Sequence, residues 1–204
     1  MPVNVIGLWL DGVFLYNGVN VYFYTMNDSG TIPMYNVINS SEDDMDTIFY
    51  LFDEAINYQK KKGYELWPQF SRAMILNEIN NKQHWKIMEG NRIVAVLSVL
   101  YNDPVIWGVE RDAEPAVYLH RIAINPEDKG KGMMKFIKHW AENHARAIGK
   151  KYLRMDTWGN NINLRQYYID CGFEYIGQQQ LVVEEGMQPH YGGLVLSLFQ
   201  NEVG

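Results

Sequence analysis

The sequence predicts an α/β (α+β) fold: a mixed β-sheet flanked by helices, preceded by a small N-terminal β-meander or hairpin extension. From Met34 onward the apolar periodicity switches between period two and period 3.6 in the order β-α-α-β-β-β-α-β-α-β-β, and mixed order of this kind implies a mixed sheet covered by helices. Before Met34, the tight-turn dipeptides Asp11-Gly12 and Asn17-Gly18 are set among Val, Phe, Tyr, Leu and Trp, as in a hairpin ribbon. Further on, a lysine- and glycine-rich turn at 129–132 runs directly into a long amphipathic helix.

A length of 204 residues suits one domain with an appended segment, and 47% hydrophobic residues suffice for a core. The domain boundary is expected at the break Asn27–Gly30 and Pro33, giving an extension over 1–33 and a main domain over 34–204. The net charge of −6 argues against a general nucleic-acid binder, which needs a basic footprint for phosphates. The one cysteine, Cys171, excludes an intramolecular disulfide framework and reads as a small buried residue in a reduced, cytoplasmic setting. No run of 18 apolar residues is present, so neither a membrane span nor a membrane partner is expected. Val3–Leu10 lacks the preceding basic stretch of a signal peptide.

In order along the chain, the extension reads as strands near 3–10, 13–16 and 19–26. It either caps the domain, mediates assembly such as a homodimer, is a family-specific embellishment, or follows an upstream start codon with the working protein beginning near Met34. Met34–Ile38 is a strand. Ser40 or Ser41 caps a helix with Glu42, Asp43 and Asp44 in its first turn, where acids complement the helix dipole. Lys60–Lys62 and Gly63 close that helix as a solvated terminus. Pro68 opens a second helix to about Asn81. Strands follow at Trp85–Glu89 and Ile93–Tyr101, then a loop over Asn102–Ala113 with Pro104 and Gly108, and a strand at Val117–Asn125. A helix covers Gly132–Ile148, a strand Tyr152–Thr157 and a helix Asn161–Asp170. The last strands are Phe173–Val183 and Leu194–Phe199.

The most informative stretch is Leu119–Met134. A strand ends at Asn125-Pro126, glycines let the backbone approach a ligand, and the helix start adds partial positive charge. With Lys129 and Lys131 beside it, the turn suits a pyrophosphate; on spacing alone, a plain surface turn is an equal reading. The segment resembles motif A of the GNAT acetyltransferases, Arg/Gln-x-x-Gly-x-Gly/Ala after a Leu-Ala-Val strand. Ile122, Ala123 and Ile124 stand at that strand, Lys129 at the Arg/Gln position, Gly132 at the middle glycine and Met134 at the final small residue. Lys129 keeps the charge without the guanidinium fork, and Met134 must turn its bulk away. The resemblance implies acetyl-CoA as cosubstrate, with backbone groups of Ile122 and Ile124 on pantetheine. It also implies that Lys129, Gly130, Lys131, Gly132, Met133 and Met134 hold the pyrophosphate.

A second match follows. Asn161–Phe173 resembles the family's motif B, Asn-x-x-Ala-x-x-Leu/Phe-Tyr-x-x-x-Gly-Phe, with Asn161, Tyr168, Gly172 and Phe173 in register and Leu164 in place of alanine. The resemblance implies that Asn161 contacts CoA and that Tyr168 is the general acid for the departing thiolate. His120 stands where the family's serotonin N-acetyltransferase has a histidine, which makes it the candidate base; Tyr118 lies two residues earlier on the same face. Trp107, Glu110, Glu114 and the pair His190-Tyr191 fall in loops able to line an acceptor pocket. The five histidines show no HxxxH or HxH spacing, so no metal set stands out. The function implied is transfer of an acetyl group to an amine of a small molecule or protein. A non-catalytic acyl-CoA-binding or regulatory domain is the alternative. A nucleotide-binding loop would need Ser or Thr after the Walker lysine, and Gly132 follows Lys131 instead.

Overall fold

In the computed structural model, residues 9–10, 13–16, 19–23, 34–181 and 193–203 are described, with side chains from Tyr35 to Leu181 and from Gly193 to Val203. His190-Tyr191 and the end of the strand expected to reach Val183 lie outside the described residues. Ten strands form one sheet in the order β1-β2-β3-β4-β5-β6-β7-β8-β10-β9. They are β1 Trp9–Leu10, β2 Val13–Tyr16, β3 Val19–Phe23, β4 Met34–Asn39, β5 His84–Glu89, β6 Arg92–Leu100, β7 Ala116–Ile124, β8 Tyr152–Trp158, β9 Tyr175–Gln180 and β10 Val195–Glu202. Neighbours are antiparallel except β7 and β8, so the sheet is mixed, and the N-terminal meander extends it through β3 on β4.

The helices are α1 Met45–Lys62, α2 Arg72–Asn80, α3 Pro104–Asp112, α4 Met133–Ala147 and α5 Ile162–Asp170. Alternation along β7 sends its side chains to opposite faces. Val117 and Leu119 join the cluster under α4, with Phe136, Ile137 and Trp140, whereas Ala116 and Tyr118 join the cluster under α3, with Ile106 and Trp107. A third cluster packs Ile48, Leu51 and Phe52 of α1 and Ile75 and Ile79 of α2 on Val96 and Ala123. α1 ends at Gly63, whose φ of 68° forms the left-handed stop after the lysines.

Two expectations need correction. The segment expected as a loop over Asn102–Ala113 holds α3. Asp103 caps it by accepting from the Ile106 amide, Pro104 sits in its first turn, and Gly108, at φ 74° and ψ 154°, splits it into two short helical turns. Proline and glycine read as loop signals here, yet one opens the helix and the other kinks it. α2 begins at Arg72 rather than at Pro68, because the Ser71 side chain accepts from the Met74 amide and sets the cap there.

Among the buried polar groups, His84 is sealed beneath α1, its Nδ1 2.8 Å from the Ser40 hydroxyl. Burial, with Arg121 nearby, pushes its pKa from 6.5 down to about 4. The folded protein therefore holds His84 neutral where the unfolded chain would protonate it. Stability from this group is whole above the unfolded value and declines as pH falls from 6.5 toward about 4. Burial lowers His144 in the same direction. Urea unfolding at pH 7 and pH 4.5 is expected to show wild type losing up to roughly 3 kcal/mol through His84. His84→Gln should show a clearly smaller acid loss.

Candidate active site

β7 and β8 pair in parallel only from Ala116–Leu119 to Tyr152–Met155. Beyond that point β7 stays with β6 as far as Ile124, and β8 stays with β10 as far as Trp158. The sheet therefore splits between its two central strands. The opening holds a cavity of about 550 Å³, lined from one face by Tyr58, Trp67 and Phe70 and from the other by Leu164, Tyr167 and Tyr168.

A bulge sits on the β7 side of the split. Val96 pairs with Ala123 and Ser98 with His120, so β7 carries one residue more than β6 over this stretch. Arg121 takes up the extra length at φ 51°, a left-handed conformation that costs a side-chain-bearing residue on the order of 1 kcal/mol. Its guanidinium holds it there. Nη2 bonds Glu78, Nε donates to the Ser98 hydroxyl at 3.1 Å, and that hydroxyl donates to Glu78 at 2.6 Å. Bulges leave main-chain groups outside the ladder, and this one borders the cavity beside Ile122, Ala123 and Ile124, which all line it.

The glycine turn closes one end of the split. Gly130 and Gly132 have φ of 80° and 74°, which glycine alone adopts without strain. Gly132 is the N-cap of α4 and offers no side-chain cap. Among the described residues, the amides of Gly130, Gly132, Met133 and Met134 meet no acceptor. Unsatisfied donors at a helix N-terminus suit a phosphate. The Met133 and Met134 side chains are buried in the core below α4, so both present only backbone to this end. Lys129 lines the cavity with its Nζ 4.0 Å from the Tyr58 ring centre. Lys131 is engaged otherwise: its Nζ lies 2.8 Å from Asp128. Asp128 is fully buried, accepts from Arg92, and has its pKa lowered chiefly by that guanidinium. The turn is thus pinned by a carboxylate beneath it.

α5 supplies the opposite wall. The Asn161 side-chain oxygen accepts from the Leu164 amide at 3.0 Å and caps the helix, while its Nδ2 is buried with no partner among the described residues. Tyr168 packs its ring on Phe173 and Phe199 and lines the cavity. No hydrogen bond engages its hydroxyl within the described chain. Burial, with Tyr167 and Asp156 near, pushes its pKa well above the usual phenol value, so the hydroxyl keeps its proton.

His120 and Asp156 are the first residues past the last β7–β8 pair, Leu119 with Met155. Both line the cavity. The Nδ1 of His120 lies 3.8 Å from Asp156 Oδ1, and its Nε2 lies 3.1 Å from Asp103 Oδ2. The latter approach is too oblique for a hydrogen bond, so both atoms are buried without one. Burial pushes Asp156 up to about 6, with His120 acting against that shift and Asp103 adding to it. The three groups bring one ligand atom each within 4.8 Å of one another, a cluster able to face a cation. Sequence spacing missed Asp103 and Asp156 because three separate elements supply the cluster. The available signal was a carboxylate, Asp156, within a central strand whose other charged residue is Arg154.

Other candidates are placed elsewhere. Tyr118 is fully buried, accepts from Arg154 Nη1 at 3.0 Å, and is pushed up to about 12 mainly by burial, so it is no base. Trp107 is buried under α3, and Glu110 and Glu114 line a shallow hollow beside Arg111 and Ile176 rather than the split. Tyr118 lies inside the paired stretch opposite Arg154, before the strands part, and so stays out of the opening.

The sequence matches the acetyltransferase (GNAT) family over residues 48–173. The chain belongs to that family. As a GNAT acetyltransferase it is an acetyl-CoA-dependent N-acyltransferase. It is 22% identical over 143 residues to an uncharacterized N-acetyltransferase, YesJ, of Bacillus subtilis, covering 66% of this chain and 79% of the relative. A GNAT-family acetyltransferase from Listeria monocytogenes shares the fold at TM-score 0.65 and 18% identity, over 93% of this chain and 99% of that one. YncA from Salmonella typhimurium, a structure with acetyl-CoA, superposes at TM-score 0.59 and 15% identity, over 83% of this chain and 94% of that one. Among the described residues of the acetyltransferase, no helix is long and apolar enough to cross a membrane.

Removing Asp128 would leave Arg92 and Lys131 facing each other beneath the turn. Asp128→Ala is expected to lower stability in urea by about 2 kcal/mol, less than a fully buried pair costs because Arg92 reaches solvent. Asp128→Asn should lose less, since the amide oxygen still accepts.

Proposed function

We propose that this enzyme transfers the acetyl group of acetyl-CoA to a primary amine of a small molecule or protein by direct attack on the thioester, with Tyr168 as general acid. The observation that carries the reading is one opening bounded by three features. They are a helix-capping turn with unsatisfied amides, a strand bulge at Arg121, and a protonated phenol, the amides and the phenol having no hydrogen-bond partner among the described residues.

The residues fit the cosubstrate. The amides of Gly130, Gly132, Met133 and Met134, with Lys129 near, receive the pyrophosphate; Lys131 adds field through its pair with Asp128 rather than a free charge. The main chain of Ile122, Ala123 and Ile124 borders the path of an extended pantetheine arm, and the orphaned Nδ2 of Asn161 is a donor for the same ligand. The bulge supplies a main-chain donor for the carbonyl oxygen as negative charge develops there. Tyr168 then gives its proton to the departing sulfur. His120 takes a proton from the acceptor, and holding both reactants in one narrow opening supplies a further share of the rate.

Thiol release from acetyl-CoA, followed over a panel of amines, tests the reading. Tyr168→Phe is expected to lower kcat by about a hundredfold or more while the acetyl-CoA KM stays close to wild type. An unchanged kcat would remove Tyr168 from the chemistry. CoA should raise the melting temperature of wild type. Gly132→Asp should abolish that rise by setting a carboxylate among the phosphate donors, at a cost of about 1 kcal/mol for a side chain at positive φ.

A further inference from the structure

We infer that the acceptor enters as an ammonium cation bearing no carboxylate beside its amine. In this reading Asp156 seats that cation and Asp103 holds His120 with its Nδ1 free to deprotonate it. The inference rests on the proposed acetyl transfer and deepens it. The site is where the sheet opens: His120 and Asp156 follow directly on the last β7–β8 pair, so their side chains meet at the apex of the split. Asp103 reaches His120 from the cap of α3, and of the three only His120 and Asp156 line the cavity. Asp103 therefore stands behind the imidazole and Asp156 beside its cavity-facing nitrogen.

Two carboxylates largely withdrawn from solvent near one imidazole are costly unless a positive charge meets them. Among the described residues no Lys or Arg bonds either carboxylate, and Arg121 acts on Asp156 only through its field. Arg121 is held by Glu78 and Ser98, and Lys129 lies over Tyr58. Among the described residues, Asp103 Oδ2 and His120 Nε2 remain buried without a hydrogen bond, an arrangement that a catalytic or binding role accounts for. The raised pKa of Asp156 agrees with a carboxylate awaiting a counter-charge. Asp103 Oδ2 lies 3.1 Å from Nε2 and Asp156 Oδ1 3.8 Å from Nδ1, so the field of the nearer carboxylate favours the proton on Nε2 and leaves the Nδ1 lone pair toward Asp156 and the cavity. An acceptor carboxylate placed there would meet like charge from both aspartates.

The step balances as follows. The ammonium gives one proton to His120 Nδ1, and its nitrogen forms the C–N bond to the acetyl carbon. The C–S bond breaks and the sulfur takes the Tyr168 proton. The second proton leaving the nitrogen restores Tyr168, and His120 releases its own to solvent. Asp156 touches the acceptor, and Asp103 is a positioning residue.

The test uses pairs that differ by a carboxylate, 2-phenylethylamine against phenylalanine and 1,4-diaminobutane against ornithine. Wild type is expected to favour the first member of each pair in kcat/KM, and Asp156→Asn to raise the amine KM by about tenfold or more, the loss of a charge-assisted bond. The acetyl-CoA KM and the CoA-induced melting shift should stay unchanged, which also shows that the variant folds. Nitrogen NMR of the imidazoles should find His120 protonated at Nε2 in wild type and lose that preference in Asp103→Asn. An unaltered amine KM in Asp156→Asn, no preference within the pairs, or a His120 proton on Nδ1 in wild type would overturn the inference while acetyl transfer stands. Absence of thiol release with every amine would overturn the proposed function and the inference with it.

Discussion

The ladder between β7 and β8 stops at Leu119 and Met155, and the geometry of the site follows from that stop. Each strand keeps its outer neighbour, β6 for one and β10 for the other, so the split costs no order elsewhere in the sheet. Two central strands that separate leave inward-facing backbone and side chains with no partner from the fold. A buried polar group in that position needs one, and a ligand able to pair with extended backbone supplies it. The cavity is accordingly lined from both sheet faces, which allows two substrates to meet inside it from different sides.

Two charged networks keep the opening in shape. Arg121 is held in its left-handed conformation by Glu78 and Ser98, and these tie the bulge to α2 and β6. Asp128 sits fully buried beneath the glycine turn, with Arg92 and Lys131 on its carboxylate. Both networks act on main chain rather than on a reacting side chain. They position amides, and amides fixed before substrate arrives need no reorganisation when charge develops. Lys131 illustrates the division of labour: a cation that seemed free to meet phosphate secures the turn instead.

Much of this was legible in the sequence. The period of the apolar residues located the strands and helices of the main sheet, because long amphipathic elements declare themselves locally. The glycines at 130 and 132, followed at once by Met133 of α4, announced a backbone-lined turn, and Tyr168 lay in register with the second motif. The failures have a common cause. Proline and glycine at Pro104 and Gly108 signal a break, and only the Asp103 cap shows that the break contains a helix. Tyr118 and His120 share a strand face in sequence, yet Arg154 claims the tyrosine while the histidine reaches the opening. Asp103 and Asp156 come together through strand register and a helix cap, neither of which local patterning encodes.

Amide hydrogen exchange, followed by NMR with and without CoA, addresses the backbone's part most directly. The account predicts that CoA slows exchange at Gly130, Gly132, Met133 and Met134, the donors left without acceptors, together with the β7 segment around Ile122. Saturating CoA that leaves those amides exchanging as before, with protection concentrated elsewhere, would contradict it.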